Sequence, residues 1–305
     1  MKEKRIALIG LGAIGAPIAD IIWHRYGENF GLIASGKIRQ QIENANYNIN
    51  NKIFSPNIIS NLDDFGGKAD LILVCVKNYQ LDGAIDDIAK FVGEETIIFP
   101  LQNGIYSYNF FQEKFKSNVV LKGYMQGPNT EFNGSNISYK NPGTIHIGSE
   151  KHIAEAIEVY NMLNESGFPV CFENDINHMV WKKWMLNVAG NSITALTNAD
   201  YNMFKESNDL KKICRTAMEE FVSIAAHEGV QLNDDDIDDI MNYYVSYNGD
   251  KKTSMLVDVI NKRKTENDYL AGYALKIAES HNINVPVIYT LYYLMKIKEN
   301  IYLKG

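Results

Sequence analysis

The feature that most constrains the fold is the stretch RIALIGLGAIG at residues 5–15, where a short apolar run leads directly into three closely spaced glycines. The apolar run is typical of a strand buried in a parallel sheet, and the apolar residues of the following APIADIIWHRYG recur near the helical period. Strand, glycine turn and helix in this order are the fingerprint of a dinucleotide-binding unit. Gly10 permits the tight turn, Gly12 lets the backbone approach a pyrophosphate, and Gly15 lets helix and strand pack closely.

The whole glycine loop is therefore predicted to contact the cofactor. Its residues are Gly10, Leu11, Gly12, Ala13, Ile14 and Gly15. The helix that follows points its unpaired N–H groups and the positive end of its dipole at the phosphates of the ligand. A glycine-rich turn in an unrelated α/β protein is the alternative, and the order of strand, turn and helix favours the nucleotide site.

Further apolar runs predict more strands in this half of the chain. The expected strands are residues 30–34, 70–76 and 96–100, then 118–123 and 143–148, which finish the sheet around the turn-rich stretch GPNTEFNGSN, and, after a helix over 151–166, residues 168–172. In a doubly wound sheet, ligands bind beyond the carboxyl ends of the strands. Lys77 and Asn103 follow two of these strands, so both are predicted to lie where cofactor and substrate meet.

The residues after the second strand bear on the choice of cofactor. NAD-binding proteins usually carry a carboxylate there, which holds the 2′-hydroxyl of the adenosine ribose. No acidic residue lies between Glu28 and Glu43, whereas Ser35, Lys37 and Arg39 could receive a 2′-phosphate. The sequence therefore favours NADP, with the alternative that the two basic residues are solvated charges at the start of a helix.

The second half of the chain changes to helical periodicity. Helices are expected over 176–197, 209–228, 253–263, 266–281 and 286–301, with another beginning after NDDD at 233–236. We predict an α/β fold with an N-terminal Rossmann-type doubly wound sheet and a C-terminal all-helical domain. The expected limits are 1–174 for the NADP-binding domain and 175–305 for the helical substrate domain.

Composition narrows the class of protein. The chain has 305 residues, 46% of them hydrophobic, and a net charge of −7, which disfavours nucleic acid as a partner. Its three cysteines form no CxxC pair, so neither a disulfide framework nor a metal site is expected. No run reaches the roughly 18 apolar residues of a membrane span, and no cleavage region follows the N-terminal apolar run. We expect a cytoplasmic protein with no membrane partner, and a homodimer is a further expectation.

One helical stretch carries an unusual polar stripe. Residues 181–191 read WKKWMLNVAGN, and Lys183, Asn187 and Asn191 follow one another at intervals of four residues. On a helix this spacing puts all three on one face, among residues that are otherwise apolar or small. Polar groups on a buried face are costly unless a partner satisfies them, which points to a ligand.

The chain resembles the ketopantoate reductase family along nearly its whole length. The matching motifs are, in order, GLGAIG, CVKNYQ, LQNG, WKKWMLNVAGNSITAL, TSML and TENDYLAGY. The family pattern W-x-K-x-x-x-N-x-x-x-N, followed by a Thr-Ala pair, is reproduced by Trp181, Lys183, Asn187, Asn191, Thr194 and Ala195. This pattern is far more specific than the glycine fingerprint.

The resemblance implies hydride transfer from NADPH to the carbonyl carbon of 2-dehydropantoate, a 2-keto acid of the pantothenate pathway. It implies that Lys183 is the general acid and that Glu266 lies near the nicotinamide ribose and the substrate. Further implied substrate contacts are Asn103, Asn187, Asn191 and Ser254, and further implied cofactor contacts are Ser35, Lys37, Lys77, Asn103 and Asn129. In isolation, Glu266 would instead be a glutamate of a capping turn.

Two departures from the family pattern leave the substrate open. The family usually has an arginine after the second strand, where this chain has Ser35, and a further substrate asparagine that neither Asn198 nor Asn202 clearly matches. One alternative is a reductase of another 2-keto acid or β-hydroxy acid. A second is a non-catalytic NADP-binding sensor, which would not need the lysine, the asparagine pair or the glutamate.

Overall fold

The computed structural model describes residues 4–247 and 249–304. The chain divides into two compact units. The first contains the described residues up to Gln102 together with Ser107–Ile176, and the second contains Asn103–Tyr106 and the described residues from Asn177 onward. The domain limits expected from the sequence stay a prediction.

The strands of the first unit form three sheets. They are β1 (Ile6–Ile9), β2 (Phe30–Ile33), β3 (Asn48–Ile49), β4 (Lys52–Ile53), β5 (Asn57–Ile59), β6 (Leu71–Val74), β7 (Ile97–Pro100), β8 (Lys122–Gln126), β9 (Asn129–Asn133), β10 (Asn136–Asn141), β11 (Thr144–Gly148) and β12 (Val170–Phe172). The main sheet is parallel throughout, in the order β5-β2-β1-β6-β7. Strands β1, β2, β6 and β7 are buried at every residue, as expected where helices cover both faces.

Helices connect these strands. They are α1 (Gly15–Tyr26), α2 (Gly36–Ala45), α3 (Leu62–Phe65), α4 (Leu81–Ala89), α5 (Tyr106–Lys114) and α6 (Ile153–Glu165). The crossovers β1-α1-β2 and β6-α4-β7 leave β1 next to both β2 and β6, so the strand order reverses beside the glycine loop. This is the predicted Rossmann-type sheet, and ligands bind at such a reversal point.

The region after β7 differs from its prediction in two ways. The turn-rich stretch GPNTEFNGSN contains β9 and the turn after it, in which Gly134 is in the left-handed region, and β9 pairs with the following β10 as an antiparallel hairpin. Within the expected strand 118–123, Val120 does pair in parallel with Ile98 of β7, but the later strands β8, β11 and β12 do not join the main sheet. They form a separate sheet in the order β12-β11-β8, while β3, β4, β9 and β10 form another. The alternation of short polar strands was too weak a signal to separate these sheets from turns.

His146 lies on β11 and is enclosed by its own sheet. Its Nδ1 atom lies 2.6 Å from the Glu173 Oε1 atom, and its ring stacks on Tyr124 at a centroid distance of 4.4 Å. Cys171 lies beside this pair, with its sulfur within 4.8 Å of a ligand atom of each. The expectation that the chain holds no metal stays a prediction.

The second unit is helical, as predicted. Its elements are α7 (Ile176–Leu186), a π turn (Asn187–Asn191), α8 (Ser192–Thr197), α9 (Met203–Glu206), α10 (Asn208–His227), α11 (Asp234–Ser246), α12 (Ser254–Ile260), α13 (Ala271–Ser280) and α14 (Pro286–Lys304). Asn233 caps α11 and forms a capping box with Asp236, whose carboxylate accepts from the Asn233 N–H at 3.1 Å. None of the helices in the described part of the chain combines the length and apolar character needed to span a bilayer.

Helix α13 begins five residues later than predicted. The preceding residues form turns instead, because the Thr265 hydroxyl donates to the Glu299 carboxylate at 2.5 Å and both groups are buried. The tyrosines of the helical unit divide between the core and the surface. Tyr244 is fully buried, whereas Tyr289 and Tyr293 on α14 are 52% and 46% exposed.

Candidate active site

The glycine loop has the geometry that a pyrophosphate requires. Gly10 has a φ of +100°, and a Cβ atom there would lie 2.6 Å from the Val76 nitrogen. A Cβ at Gly15 would lie 1.8 Å from the Gly10 carbonyl oxygen, so both glycines are required by packing. At Gly12, in contrast, a Cβ would meet nothing within 4 Å. The loop therefore leaves open space at the position where the sequence predicts a phosphate.

The start of α1 is also suited to an anion. No acidic residue lies in its first turn, and no side chain caps it. The Ala16 N–H donates to the Gly12 carbonyl at 2.9 Å, and the helix dipole favours negative charge at this end of α1. The residues of the loop fit the pyrophosphate of a dinucleotide.

Strand β9 approaches the glycine loop. The Thr130 hydroxyl donates to the Ala13 carbonyl at 2.8 Å, which ties the start of β9 to the loop. Asn129, the predicted contact, is the residue before it and is exposed. Thr130 was missed because nothing local in TEFN indicates a contact with a residue 117 positions earlier.

Lys77 lies beyond the carboxyl end of β6, as predicted. Its N–H donates to the Gln80 Oε1 atom at 2.9 Å, and its side chain is partly exposed. The buried Gln102, which follows β7, donates from Nε2 to the Val76 carbonyl at 2.9 Å. The segments after β6 and β7 are thereby held together at the edge where ligands are expected.

The end of β2 differs from the predicted phosphate site. The Ser35 hydroxyl donates to the Asp87 Oδ2 atom at 2.5 Å, so a carboxylate from α4 stands beside it. The Arg39 guanidinium is also engaged, since Nη1 donates to Asp64 at 2.9 Å and Nε to Glu43 at 2.8 Å. Lys37 is exposed on α2. Of the three predicted groups, only Lys37 has no carboxylate beside it among the contacts described.

The second unit contains Lys183, the lysine of the polar stripe. Lys183 lies on α7, only partly accessible, and burial lowers its pKa to about 7, although the negative charge of Glu266 opposes this. An amine with such a pKa exchanges protons near neutral pH, which suits a general acid.

The neighbouring lysine behaves in the opposite way. The Lys182 ammonium lies 3.0 Å from Asp236 and 2.7 Å from Asp239. Burial lowers its pKa, but the hydrogen bonds that the ammonium donates to Asp239 and Asp236 outweigh burial and raise it. Lys182 is therefore held in an ion-pair network with α11.

The long helix predicted over 176–197 is interrupted by the π turn at Asn187–Asn191. A Cβ atom at Gly190 would lie 1.8 Å from the Tyr244 Oη atom, so only glycine admits the tyrosine here. The Tyr244 hydroxyl donates to the Leu186 carbonyl at 3.0 Å. Because a π turn shifts the backbone hydrogen-bond register, side chains such as Tyr244 can satisfy carbonyls that the turn displaces.

The two asparagines stand at the ends of this turn and bond to each other. Asn191 donates from Nδ2 to the Asn187 Oδ1 atom at 3.1 Å, and both residues are at least 95% buried. The Nδ2 atom of Asn187 is buried without a hydrogen-bond partner. A buried unpaired donor is rare and costly, and it is explained if a ligand accepts the bond.

Ser254, the predicted carboxylate contact, is exposed at the first position of α12. The preceding Thr253 caps this helix by accepting from the Leu256 N–H, and its hydroxyl shares a hydrogen bond of 2.8 Å with Thr194 on α8. Two buried threonines thus tie the start of α12 to the helix that follows the π turn. Lys251, in contrast, bonds the Tyr243 hydroxyl at 3.3 Å.

Glu266 and Asn103 belong to the same unit as Lys183. Glu266 is 6% exposed, and the pKa of Lys183 responds to its charge, which places the two groups within electrostatic reach. Asn103 precedes Gly104, where an added Cβ atom would lie 3.4 Å from side-chain atoms of both Trp184 and Leu270. Gly104 of the LQNG turn therefore packs against Trp184, which follows Lys183 in the sequence, and against Leu270, which lies close to Glu266 in the sequence.

Comparisons with known proteins agree with this architecture. The model of the family described as ketopantoate reductase PanE/ApbA matches residues 6–152, and its C-terminal model matches residues 175–299. A protein named 2-dehydropantoate 2-reductase from Yersinia pestis is 26% identical over 98% of this chain and 96% of its own length.

Two solved structures show the same fold. A D-mandelate dehydrogenase in a ternary structure with NADH and anilino(oxo)acetate has a TM-score of 0.85 at 23% identity, with 98% of this chain and 99% of that one covered. A dimeric ketopantoate reductase from Staphylococcus aureus has a TM-score of 0.80 at 22% identity, again over 98% and 99% of the two chains. With the two family models covering most of its length, the chain belongs to the ketopantoate reductase family.

Proposed function

We propose that this protein reduces 2-dehydropantoate to pantoate with a nicotinamide cofactor, as a 2-dehydropantoate 2-reductase of pantothenate biosynthesis. The observation that carries the proposal is the partly buried Lys183, whose pKa of about 7 suits proton donation to a carbonyl oxygen. Membership of the family supports the reaction class, and a curated relative of 26% identity carries this name.

The cofactor, when bound on the glycine loop, supplies a hydride to the carbonyl carbon. The carbonyl oxygen gains negative charge as the hydride arrives, and Lys183 delivers the proton that neutralises it. Burial keeps the ammonium acidic enough to give up this proton at neutral pH. Glu266 opposes that effect, so it keeps part of the lysine population protonated and ready to act.

The amides of the π turn orient the substrate in this proposal. The Asn187 Nδ2 atom, which lacks a partner in the protein, donates to an oxygen of the keto acid. Asn191 fixes the orientation of that amide through the Oδ1 atom. Asn103 adds a contact from the LQNG turn, and the exposed hydroxyl of Ser254 binds the substrate carboxylate.

An oxidation assay tests the proposal. The purified protein is mixed with 2-dehydropantoate and either NADPH or NADH, and the loss of reduced nicotinamide is followed by absorbance. A panel of other 2-keto acids, aliphatic and aromatic, is measured in parallel. Turnover highest with 2-dehydropantoate supports the assignment. Absence of turnover with every acid would sink the enzyme function, and a sensor that only binds the dinucleotide would then take its place.

Reduction of a different 2-keto acid is the second candidate, and one observation favours it. Asn198 does not serve as the further substrate asparagine of the family, because its Oδ1 atom accepts from the Lys298 ammonium at 3.0 Å and it ends α8 in the left-handed region. Asn202 stands at the start of α9. Neither residue clearly matches the further substrate asparagine of the family, and a higher kcat/KM with another acid of the panel would establish this candidate.

Three finer assignments stay predictions. NADPH is the cofactor that the sequence favours, whereas the contacts of Ser35 and Arg39 do not support a free phosphate site. A homodimer is supported by the dimeric Staphylococcus aureus relative and by an exposed apolar stripe on α14, which comprises Tyr289, Tyr293, Ile297 and Ile301. Sedimentation velocity would decide the oligomeric state. Cytoplasmic location is the third.

A further inference from the structure

We propose that Asp87 makes this protein select NADH over NADPH, by placing a carboxylate beside Ser35 after β2, where a Rossmann-type sheet holds the ribose 2′-oxygen of its dinucleotide. This inference rests on the proposed function only in taking the ligand of the glycine loop to be a nicotinamide dinucleotide. Asp87 comes from α4, more than 50 residues after β2 ends. No acidic residue lies between the end of β2 and Glu43, so the sequence near β2 does not indicate this carboxylate.

The hydrogen bond between Ser35 and Asp87 determines what the end of β2 can recognise. The serine hydroxyl donates its one proton to Asp87 at 2.5 Å, which leaves only acceptor lone pairs on Ser35 Oγ. An acceptor pair and a carboxylate can receive the hydrogen of a ribose 2′-hydroxyl. They cannot donate to the oxygens of a 2′-phosphate, whose negative charge the carboxylate repels. Rossmann-type proteins that use NAD place an acidic residue at this position for the same reason.

The position of the carboxylate is fixed rather than adjustable. The Asp87 Oδ1 atom accepts from the Lys90 ammonium at 2.6 Å, while Oδ2 accepts from Ser35. The Asp87 side chain is 23% exposed, so it is less screened by water than a surface acid. Lys90 partly offsets the charge, but it does so on the oxygen that faces away from Ser35.

The basic groups near β2 do not compensate. Arg39 turns toward Ser60 and Asp64, with Nη1 at 2.8 Å and 2.9 Å from their oxygens. Its hydrogen bonds to Glu43 and Asp64 raise its pKa further. Lys37 is exposed, and it lines a surface depression with Gln40, Gln41 and Asn44, which follow it at helical spacing on one side of α2. The residues present thus fit the pyrophosphate of the cofactor but not a phosphate on the 2′-oxygen.

Binding measurements without substrate test the inference. Titration calorimetry gives the Kd of NADH and of NADPH for the purified full-length protein. We expect NADH to bind at least roughly ten-fold more tightly, since a factor of ten corresponds to one modest charge repulsion. In Asp87→Asn the NADPH affinity should rise about ten-fold while the NADH affinity stays level or falls. Adding Ser35→Arg to Asp87→Asn should reverse the preference.

Asp86→Asn is the matched control, because Asp86 is an exposed acid on the same helix and its loss changes the net charge equally. The ratio of the two Kd values should not change in this variant. The inference is overturned if wild-type protein binds NADPH as tightly as NADH, or if both asparagine variants change the ratio equally. Thermal unfolding of each variant confirms that it is folded. If Asp87→Asn does not fold, Ser35→Ala removes the same hydrogen bond from the serine side.

The outcomes separate this inference from the proposed function. Selective NADH binding that Asp87→Asn relaxes, with no turnover of any keto acid, would leave the inference standing and remove the reductase assignment. Turnover of 2-dehydropantoate with a preference for NADPH would support the reductase assignment and overturn the inference. If neither NADH nor NADPH bound, both the inference and the reductase assignment would be overturned.

Discussion

The polar side chains of α7 and the π turn differ from those at the end of β2 in how far the protein itself supplies their partners. On the lysine helix, burial leaves Lys183 with a lowered pKa and leaves the Nδ2 atom of Asn187 without a protein partner. At the end of β2, the fold supplies partners for the polar groups, so that Ser35 bonds Asp87 and Arg39 bonds Asp64. The comparison teaches that a ligand is expected to bind polar groups the fold has left unsatisfied. Groups that already have strong partners instead restrict which ligand fits.

The largest effect should follow from removing the lysine amine. Lys183→Ala should lower kcat by ~10²–10⁴, the usual contribution of a general acid, with a smaller change in the affinity for the dinucleotide. Lys182→Ala is the control, because Lys182 is engaged with Asp236 and Asp239. That variant should keep its kcat even though the loss of its ion pairs lowers the melting temperature. Equal losses of kcat in both variants would show that Lys183 acts only through structure.

The unpaired amide of Asn187 can be tested by replacing it and measuring kcat/KM. Asn187→Leu keeps the approximate volume and removes a donor that has no partner in the protein. We expect kcat/KM to fall by roughly ten- to a hundred-fold, which is the usual effect of losing one hydrogen bond to a group that is charged or gains charge in the reaction. Ser192→Ala is matched to it, since the Ser192 hydroxyl is also buried and unpaired but follows the π turn. An unchanged kcat/KM in Asn187→Leu would remove this residue from the substrate site.

The π turn itself can be broken at its glycine. Gly190→Ala would bring a Cβ atom into the space of the Tyr244 hydroxyl, and overpacking of this kind costs about 1–3 kcal/mol. The free energy of unfolding, measured with denaturant, should fall by that amount, and kcat should fall with it because Asn187 and Asn191 lose their positions. Gly83→Ala on α4 meets nothing within 4 Å and should stabilise the protein by about 0.5–1 kcal/mol.

The glycine loop offers the corresponding test in the first unit. Gly12→Ala should fold normally, because its Cβ meets nothing within 4 Å, yet it should raise the Kd for the dinucleotide on the order of ten-fold by occupying the approach of the pyrophosphate. Gly15→Ala should instead lower the melting temperature, since its Cβ would collide with the Gly10 carbonyl oxygen. A Gly12→Ala variant that binds as tightly as wild type would place the phosphates elsewhere.

The two regions also differ in how much of them could be predicted from the sequence. Lys183, Asn187 and Asn191 lie within nine residues of one another, so a periodic pattern and a family motif both reached them, and the all-helical second unit followed from the same periodicity. The π turn was not foreseen, because it depends on Tyr244 entering beside Gly190 from a distant helix. Asp87 and Thr130 were missed for the same reason, since each contacts its partner over at least 52 positions. Local patterns predict which elements form, whereas the charges around a ligand depend on contacts that only the folded chain creates.

The smallest effect concerns the charge that Glu266 adds beside the lysine. The protonated form of Lys183 is the active one for reduction, so kcat/KM should decline as pH rises through about 7. The carboxylate of Glu266 stabilises this protonated form, and Glu266→Gln should therefore shift the decline toward lower pH, by up to about one unit. Asp268→Asn serves as the control, because Asp268 pairs with Lys296 at 2.9 Å and should leave the profile in place. A decline that stays put or moves upward in Glu266→Gln would mean that the acid titrating in the profile is a group other than Lys183.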